Sequence, residues 1–326
     1  MAATIIDVAR LCGYSKATVS RAYASPEAVS EKAREKIYAA AKQLNYAPNA
    51  IARAMVRQQT ENIAFIIHEK QYPAILNPFY SPMLEATRRN YSLFVTTSQD
   101  IHLPNGDIYI KKHMDGVIFA GEVDIRVIEE FRKQSIPVVL VNNYLDMDGL
   151  VCISADHYGG AVQATEYLCK LGHCKIGLLS GRFSPQVSEA RIEGFVKTLA
   201  KYDIPVDDRF IADIEPALED GEEIMTRMLR EVDRPTAFFC TNDTIAAGAM
   251  KAVTRAGLRV PEDIAIIGFD DSYISRVVEP ELTTVRIDAA KMGCLAMQTL
   301  FDLIAGMPVE KAHIQIPTEL IVRGTA

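Results

Sequence analysis

Apolar residues recur at helical spacing through the first 46 residues and predict three helices. Thr4 stands three residues before Asp7, as in a capping box that opens a helix. The predicted limits of the three helices are Thr4 to Gly13, Ser15 to Tyr23 and Ser30 to about Asn45. Two short helices joined by a glycine-containing turn and supported by a third form the helix-turn-helix plan.

The second predicted helix turns small apolar residues inward and hydrogen-bonding residues outward. Val19 and Ala22 face the other helices, and the outward residues are Lys16, Ala17, Thr18, Ser20 and Arg21. In the helix-turn-helix plan this helix enters the major groove, where Lys and Arg match guanine acceptors, Ala matches the thymine methyl group and hydroxyls match phosphates. A capped helix with a polar outer face is the alternative, but it leaves the concentration of DNA-suited residues unexplained.

From Asn62 onward, short apolar runs alternate with helical stretches. The runs are residues 63–67, 93–97, 116–120, 137–142, 175–180, 236–240 and 264–269. Continuous apolar runs with β-branched residues predict fully buried strands, and their alternation with helices predicts parallel α/β sheets. The number of strands favours two doubly wound lobes over a single barrel.

Polar side chains follow several of these predicted strands. Asn142, Asn242 and Asp270 stand at strand ends, and Arg191 stands on the helix after the run at 175–180. Ligands bind at the carboxyl ends of parallel strands, where Asp and Asn bind hydroxyls and Arg can contact two oxygens at once. Each residue alone has a local explanation, a helix cap or a surface ion pair. The four together favour a ligand site.

Charge is divided unevenly along the chain. Residues 1–60 hold nine Lys or Arg and four Asp or Glu, an excess of five positive charges. The remainder carries an excess of twelve negative charges, so the net charge is −7. A basic head on an acidic body suits a head that binds a polyanion, although a solvated basic helical surface is the alternative.

The composition excludes several protein classes. No apolar run reaches the length of about 20 residues that a membrane helix needs, and the N-terminus lacks a signal-peptide pattern. The six cysteines have no metal-ligand or paired spacing, which predicts reduced thiols in a cytoplasmic protein.

Motifs for catalysis are likewise missing from the sequence. It has no phosphate-binding glycine loop, nucleophile elbow or zinc-binding helix motif, and Asp156 with His157 is typical of a helix cap. Asp270 and Asp271 are neighbours at a strand end and would point in opposite directions. We therefore expect no enzymatic activity, no catalytic residues, no metal and no cofactor.

Three segments resemble the LacI/GalR family of bacterial transcription regulators: TIIDVARLCGYSKATVSRAY, VSEKAREKIYAAAKQLNYAPNAIARAM and GFDD. The resemblance extends over essentially the whole chain. It implies a helix-turn-helix head over residues 1–46, a hinge helix and linker over 47–60, and an effector-binding and dimerisation body over 61–326. The implied body has two lobes like those of periplasmic sugar-binding proteins, about 61–157 with 288–315 and about 158–287 with 316–326.

The resemblance also implies which residues contact DNA. The implied base-contacting residues are Lys16, Ala17 and Arg21, and the implied backbone-contacting residues are Ser15, Thr18, Ser20, Tyr46 and Asn49. Ala52 and Met55 fall on the hinge helix, with Met55 in place of the leucine that enters the minor groove. An apolar Met side chain is suited to opening a base step in this way.

An effector site between the lobes is implied as well. The implied contacts are Phe79, Tyr80, Asn142, Arg191, Asn242 and Asp270. The loop before Phe79 is longer than usual, so Tyr72 and Pro73 are the alternative equivalents in the first lobe. Pro216 occupies the position at which the family often has an aromatic residue that stacks on a sugar ring.

These features predict a cytoplasmic homodimeric repressor that binds a pseudo-palindromic operator of double-stranded DNA. The expected effector is a sugar or related polyol, and a nucleoside or sugar phosphate is the alternative because of Pro216. A cytosolic small-molecule binding protein with weak, non-specific DNA binding is the alternative function.

Overall fold

The computed structural model describes residues 3–47, 59–67, 80–101, 107–108, 110, 113–145, 147–309 and 312–326. The chain divides into two compact units, a head of Met1–Glu61 and a body of Asn62–Ala326. The predicted hinge residues Ala52 and Met55, with Asn49 and Phe79, lie outside the described residues.

Three helices form the head, α1 (Ile5–Cys12), α2 (Lys16–Ala24) and α3 (Glu31–Gln43). Thr4 and Asp7 form the predicted capping box, in which each side chain accepts a hydrogen bond from the other's backbone N–H. Gly13 follows α1 with φ of 75°, a left-handed conformation that costs glycine little. The helices enclose a small core of Val8, Ala9, Val19, Ala22, Ile37, Ala40 and Ala41. The predicted helix-turn-helix arrangement is confirmed.

One detail of the predicted third helix is wrong. Ser30 occupies the N-cap position of α3, but its hydroxyl makes no capping hydrogen bond. The helix ends at Gln43, close to the predicted limit, because Asn45 adopts a left-handed conformation with φ of 47° that cannot continue a right-handed helix.

The described part of the body contains two six-stranded sheets. The strands of the first sheet are β1 (Asn62–Ile67), β2 (Ser92–Thr97), β3 (Gly116–Ala120), β4 (Val138–Val141), β5 (Val151–Ala155) and β11 (His313–Ile316). Their order is β11-β5-β4-β3-β1-β2, and every neighbouring pair is parallel.

The strands of the second sheet are β6 (Ile176–Gly181), β7 (Ile211–Ile214), β8 (Ala237–Cys240), β9 (Ala265–Asp270), β10 (Thr283–Arg286) and β12 (Glu319–Ile321). Their order is β12-β10-β9-β8-β6-β7. The pairs are parallel except for β12, which runs antiparallel to β10.

Helices cover both faces of each sheet. The body helices are α4 (Tyr80–Arg88), α5 (Ile125–Arg132), α6 (His157–Lys170), α7 (Pro185–Lys201), α8 (Leu218–Met228), α9 (Asp243–Arg255) and α10 (Ala289–Ile304). In the first sheet, α10 packs on one face and α5 on the other. In the second, α6 and α7 cover one face and α8 and α9 the other. The inner strands of each sheet are therefore buried on both faces, as is typical of parallel sheets.

The chain passes from one sheet to the other after β5, after β10 and after β11. Two contacts bring the carboxyl end of β4 close to the second sheet's helices. The Ser184 hydroxyl, just before α7, donates to the carbonyl of Asn142 at 3.4 Å, and the His157 ring at the start of α6 contacts the side chain of the same residue. Strand ends from both sheets thus meet at one place.

The predicted fold class is confirmed, but the strand assignments were incomplete. β5, β7, β10, β11 and β12 were missed because they are three to five residues long and each contains polar residues. The run at 93–97 was predicted to be fully buried, and this is wrong. It belongs to β2, which pairs only with β1 among the described strands and leaves Phe94 and Val95 exposed.

A buried serine in β6 provides a test of the second sheet's packing. The Ser180 hydroxyl has no hydrogen-bond partner within the described part of the chain, although the residue is 1% exposed. We expect Ser180→Ala to leave the free energy of unfolding unchanged or to raise it by about 1 kcal/mol, because an unsatisfied buried hydroxyl is removed. Urea denaturation measures this. Ser275→Ala is the control, since that buried hydroxyl contacts Asp271 and Ser272, and its loss should be destabilising by about 1 kcal/mol.

Candidate DNA-binding surface and effector site

The outer face of α2 presents the side chains that were predicted to contact DNA. The exposed residues are Lys16, Ala17, Ser20 and Arg21, while Thr18 is half-buried. The Ser15 hydroxyl accepts from the Thr18 N–H at 3.1 Å and lies 2.9 Å from the Thr18 hydroxyl. The first turn of α2 contains no acidic residue, so its N–H groups and Lys16 create a positive helix start that suits phosphate and guanine acceptors.

An aromatic cluster joins the end of α3 to α2. The Tyr46 ring packs edge-on against Tyr23 with centroids 6.1 Å apart, and Tyr23 packs against Tyr38 at 5.3 Å. The Tyr38 hydroxyl also donates to the carbonyl of Ala22 at 2.8 Å. These contacts hold Tyr46, a predicted backbone-contacting residue, close to α2.

In the body, Arg191 of α7 is almost fully buried, with its side chain 4% exposed. Its guanidinium lies 3.3 Å from the Oδ1 atom of Asp270 at the end of β9 and donates to the carbonyl of Thr241, just after β8. The guanidinium also lies 3.9 Å from the ring centroid of Phe269 and 4.9 Å from that of Phe183. The structure therefore brings the predicted pair of Arg191 and Asp270 together.

His157 connects this pair to the first sheet. Arg191 donates to its Nδ1 atom at 3.2 Å, and its Nε2 atom lies 3.2 Å from Oδ1 of Asn142. That amide oxygen also accepts from the N–H of Ala155, so the hydrogen-bond network assigns the ring proton to Nε2. A continuous chain of hydrogen bonds runs from Asn142 after β4, through His157 and Arg191, to Asp270.

One predicted effector residue, Asn242, does not join this chain of hydrogen bonds. The Asn242 amide oxygen accepts from the N–H of Ile245 at 2.8 Å and caps α9, which is the local role that the sequence left open. Tyr80 is the first residue of α4, but its side chain, like the whole of Phe79, lies outside what the structure describes.

Burial controls the protonation of the residues that form this chain of hydrogen bonds. Burial and the nearby Arg191 charge lower the pKa of His157 well below 6.5, so the ring is neutral. Burial raises the pKa of Asp270 to about 6, although Arg191 opposes this rise. Burial also lowers the pKa of the Arg191 guanidinium, and the Asp270 charge counteracts this effect. The two side chains thus depend on each other for their charged states.

Asp271 has a different set of partners. Its carboxylate lies 2.5 Å from Arg323 and 2.8 Å from Arg286, and its side chain is 3% exposed. The carboxylates of Asp270 and Asp271 therefore point to different partners and do not form a paired acid–base site. Asp271 ties the C-terminal segment to β9 and β10.

Comparison with known proteins agrees with this architecture. Residues 4–49 match the family of bacterial regulatory proteins called the lacI family, and residues 165–326 match the periplasmic binding protein-like domain. The HTH-type transcriptional repressor PurR of Pasteurella multocida (strain Pm70) is 32% identical over 333 residues, which cover 98% of each chain. This chain belongs to the lacI family.

Solved structures of similar proteins cover both units. The lac repressor dimer bound to operator and the anti-inducer ONPF has a TM-score of 0.85 at 28% identity, covering 100% of this chain and 99% of that one. The complex of the transcriptional regulator CelR with cellobiose has a TM-score of 0.73 at 25% identity, covering 99% and 100% of the two chains. This lacI-family protein is a DNA-binding transcriptional repressor and not an enzyme. No helix among its described residues is long and apolar enough to span a membrane.

The role of His157 in the hydrogen-bond chain is not apparent from the sequence. Asp156 does cap α6, as the sequence indicated, with its carboxylate accepting from the N–H of Gly159. The contacts of His157 with Asn142 and Arg191 depend on β5, which was not recognised because it is short and contains Ser154. Recognition of β5 would have placed His157 at a strand end, beside Asn142.

The neutral His157 ring predicts a loss of stability in acid. Because its pKa is depressed in the folded protein, the unfolded chain binds an extra proton below pH 6.5, and the free energy of unfolding falls as the pH decreases through that value. Glutamine retains a donor and an acceptor but does not titrate. The stability of His157→Gln relative to the native protein should therefore rise as the pH falls from 7.5 to about 5.5. Urea midpoints across this range measure the change.

His173→Gln is the control for this effect. His173 is half-buried against Thr236, and partial burial is the only cause that lowers its pKa. Its substitution should produce a smaller pH-dependent change. Equal changes in the two variants would contradict a specific role for Arg191 in keeping His157 neutral.

Proposed function

We propose that this protein represses transcription as a homodimer on a pseudo-palindromic operator, and that a neutral sugar or related polyol bound between its two lobes changes its affinity for DNA. The observation that carries the effector assignment is the pair of buried Arg191 and partly exposed Asp270, linked through His157 to Asn142 where strand ends of the two sheets meet.

The geometry suits hydroxyl groups. The Asp270 side chain is 29% exposed and can meet a ligand, whereas that of Arg191 is 4% exposed. Carboxylate and amide oxygens accept from hydroxyls, and amide and guanidinium N–H groups donate to them. The partly exposed Phe183 ring beside Arg191 adds apolar surface, which is the usual complement of a few polar groups in a ligand site.

The charge of the cluster favours a neutral ligand over a phosphate. The Asp270 carboxylate balances the charge of Arg191, and the Arg191 guanidinium also donates to the Thr241 carbonyl. The His157 ring is neutral. Another carboxylate, that of Asp243, is buried nearby. Burial and the Asp270 charge together raise the pKa of Asp243. Among these described groups a phosphate would meet no net positive charge.

The edge of the first sheet supports the homodimer. Phe94 and Val95 are 48% and 43% exposed on β2, which has a partner on one side only among the described strands. An exposed apolar edge strand is a ready surface for pairing with another chain. We therefore place the contact between subunits at β2.

Loss of two side chains on α2 tests the DNA-binding part. We expect Lys16→Ala combined with Arg21→Ala to abolish the preference for the selected operator, because each base contact contributes about 1–3 kcal/mol of discrimination. The operator is first obtained by selection from random duplexes, and affinities for it and for random DNA are then compared at constant salt.

Lys42→Ala is the matched control, since this lysine is exposed in the last turn of α3. It should preserve the ratio of operator to random affinity. An unchanged ratio in the double α2 variant would overturn α2 as the recognition helix.

A thermal-melt panel tests the effector. Neutral sugars, polyols, sugar phosphates and nucleosides are each added at millimolar concentration, and a ligand present at about 100 times its Kd should raise stability by about 2.7 kcal/mol. We expect a shift with a neutral sugar or polyol that Asp270→Asn abolishes. Asp213→Asn, which changes an exposed carboxylate on β7, should retain the shift. A shift with only a phosphorylated compound would overturn the proposed ligand class.

A further inference from the structure

Asp243 is a buried carboxylate outside the chain of hydrogen bonds that runs from Asn142 to Asp270. It is the first residue of α9 and is 1% exposed. Its Oδ2 atom accepts from the N–H of Ser272 at 2.6 Å, and its Oδ1 atom accepts from the hydroxyl of Thr284 at 2.5 Å. The carboxylate thus bridges the end of β9 and the strand β10.

These contacts hold an unusual turn. Asp270 and Asp271 have φ values of 106° and 49°, two consecutive left-handed conformations at residues other than glycine. Such conformations persist only where the surroundings enforce them. Asp243 binds the residue immediately after the turn, Ser272, while arginines bind Asp271. Asp243 therefore fixes the turn that directs Asp270 toward Arg191.

The sequence around Asp243 makes room for its carboxylate. Gly268 lies on β9 directly against it, and a Cβ atom at position 268 would overlap the Oδ1 atom of Asp243 and the side chain of Leu282. Glycine is therefore required on this strand by close approach rather than by a special backbone conformation.

Asp243 also enters the charge balance of the site. The ionisable groups that face it are Asp270 on β9, Arg191 on α7 and Cys240 on β8, with neutral His157 of α6 behind Arg191. Burial and the Asp270 charge raise the pKa of Asp243 to about 7, although the hydrogen bonds from Thr284 and Ser272 oppose this rise. One buried guanidinium is thus opposed by two carboxylates.

We propose that Asp243 is a positioning residue of the effector site, which holds the left-handed turn at Asp270 and places a second carboxylate near the one guanidinium of Arg191. The inference rests on the effector site of the proposed function. The two carboxylates repel each other, so their titrations are coupled and belong to the pair rather than to either residue. The ionisation of Asp243 thereby controls the charge that a ligand meets.

Carbon-13 NMR of aspartate carboxyl groups in the full-length protein tests this without any effector. In the native protein, two carboxyl groups should titrate above pH 5.5, well above ordinary aspartates. In Asp243→Asn one of these should disappear. In Asp270→Asn the remaining group, Asp243, should titrate at lower pH than in the native protein, because the neighbouring negative charge is gone.

Thr284→Val tests the hydrogen bonding of Asp243 separately from its charge. This variant keeps both carboxylates and removes one donor to the charged form of Asp243, so the upper titration should move to higher pH by about half a unit. Thr165→Val is the matched control, because that buried hydroxyl donates to Ala161 within α6 and does not contact Asp243. It should leave both titrations unchanged.

Urea denaturation provides a second readout that a merely structural role would not affect. Because a raised folded-state pKa destabilises the native protein as the pH rises through it, the stability of Asp243→Asn relative to the native protein should increase between pH 5 and about 8. Ordinary titration of all aspartates near pH 4, or a stability difference independent of pH, would overturn the proposal. Neither readout involves a ligand or DNA, so a failure here is distinguishable from failure of the proposed function.

Discussion

The interior of the body has to accommodate the charge of Arg191, a guanidinium with almost no contact with solvent. A buried charge is costly unless it is paired and its donors are satisfied. Asp270, the Thr241 carbonyl and the His157 ring supply these partners, and the rings of Phe183 and Phe269 lie against the guanidinium. Because these groups come from different segments, the single charge of Arg191 fixes several loops at once.

The doubly wound architecture brings these segments together. In each sheet the parallel strands end at the same edge, and the passage from β5 to α6 places His157 between the two sheets. His157 and Ser184 then contact Asn142 of the first sheet from the second. A movement of one sheet relative to the other would break or reform these hydrogen bonds, which provides a physical link between ligand occupancy and the arrangement of the lobes.

The head depends on a separate and simpler constraint. Its three short helices share a small core and an aromatic cluster, and the polar face of α2 is left exposed. The excess of positive charge is confined to the first sixty residues, while the body is acidic. Attraction to a polyanion is thereby restricted to the segment that carries the predicted DNA-contacting residues.

The sequence by itself determined the elements that depend on local patterns. The capping box at Thr4, the left-handed Gly13 and the long apolar strands could all be recognised, because caps, glycine turns and continuous apolar runs are effects of nearby residues. The pairing of Arg191 with Asp270 came from resemblance to a family. Only the tertiary structure decided that β2 is an exposed edge, that His157 contacts Arg191, and that Asp243 binds the backbone just after Asp270 and Asp271. Those roles arise from contacts between residues far apart in the chain, and short polar strands such as β5 carry too little local signal to predict them.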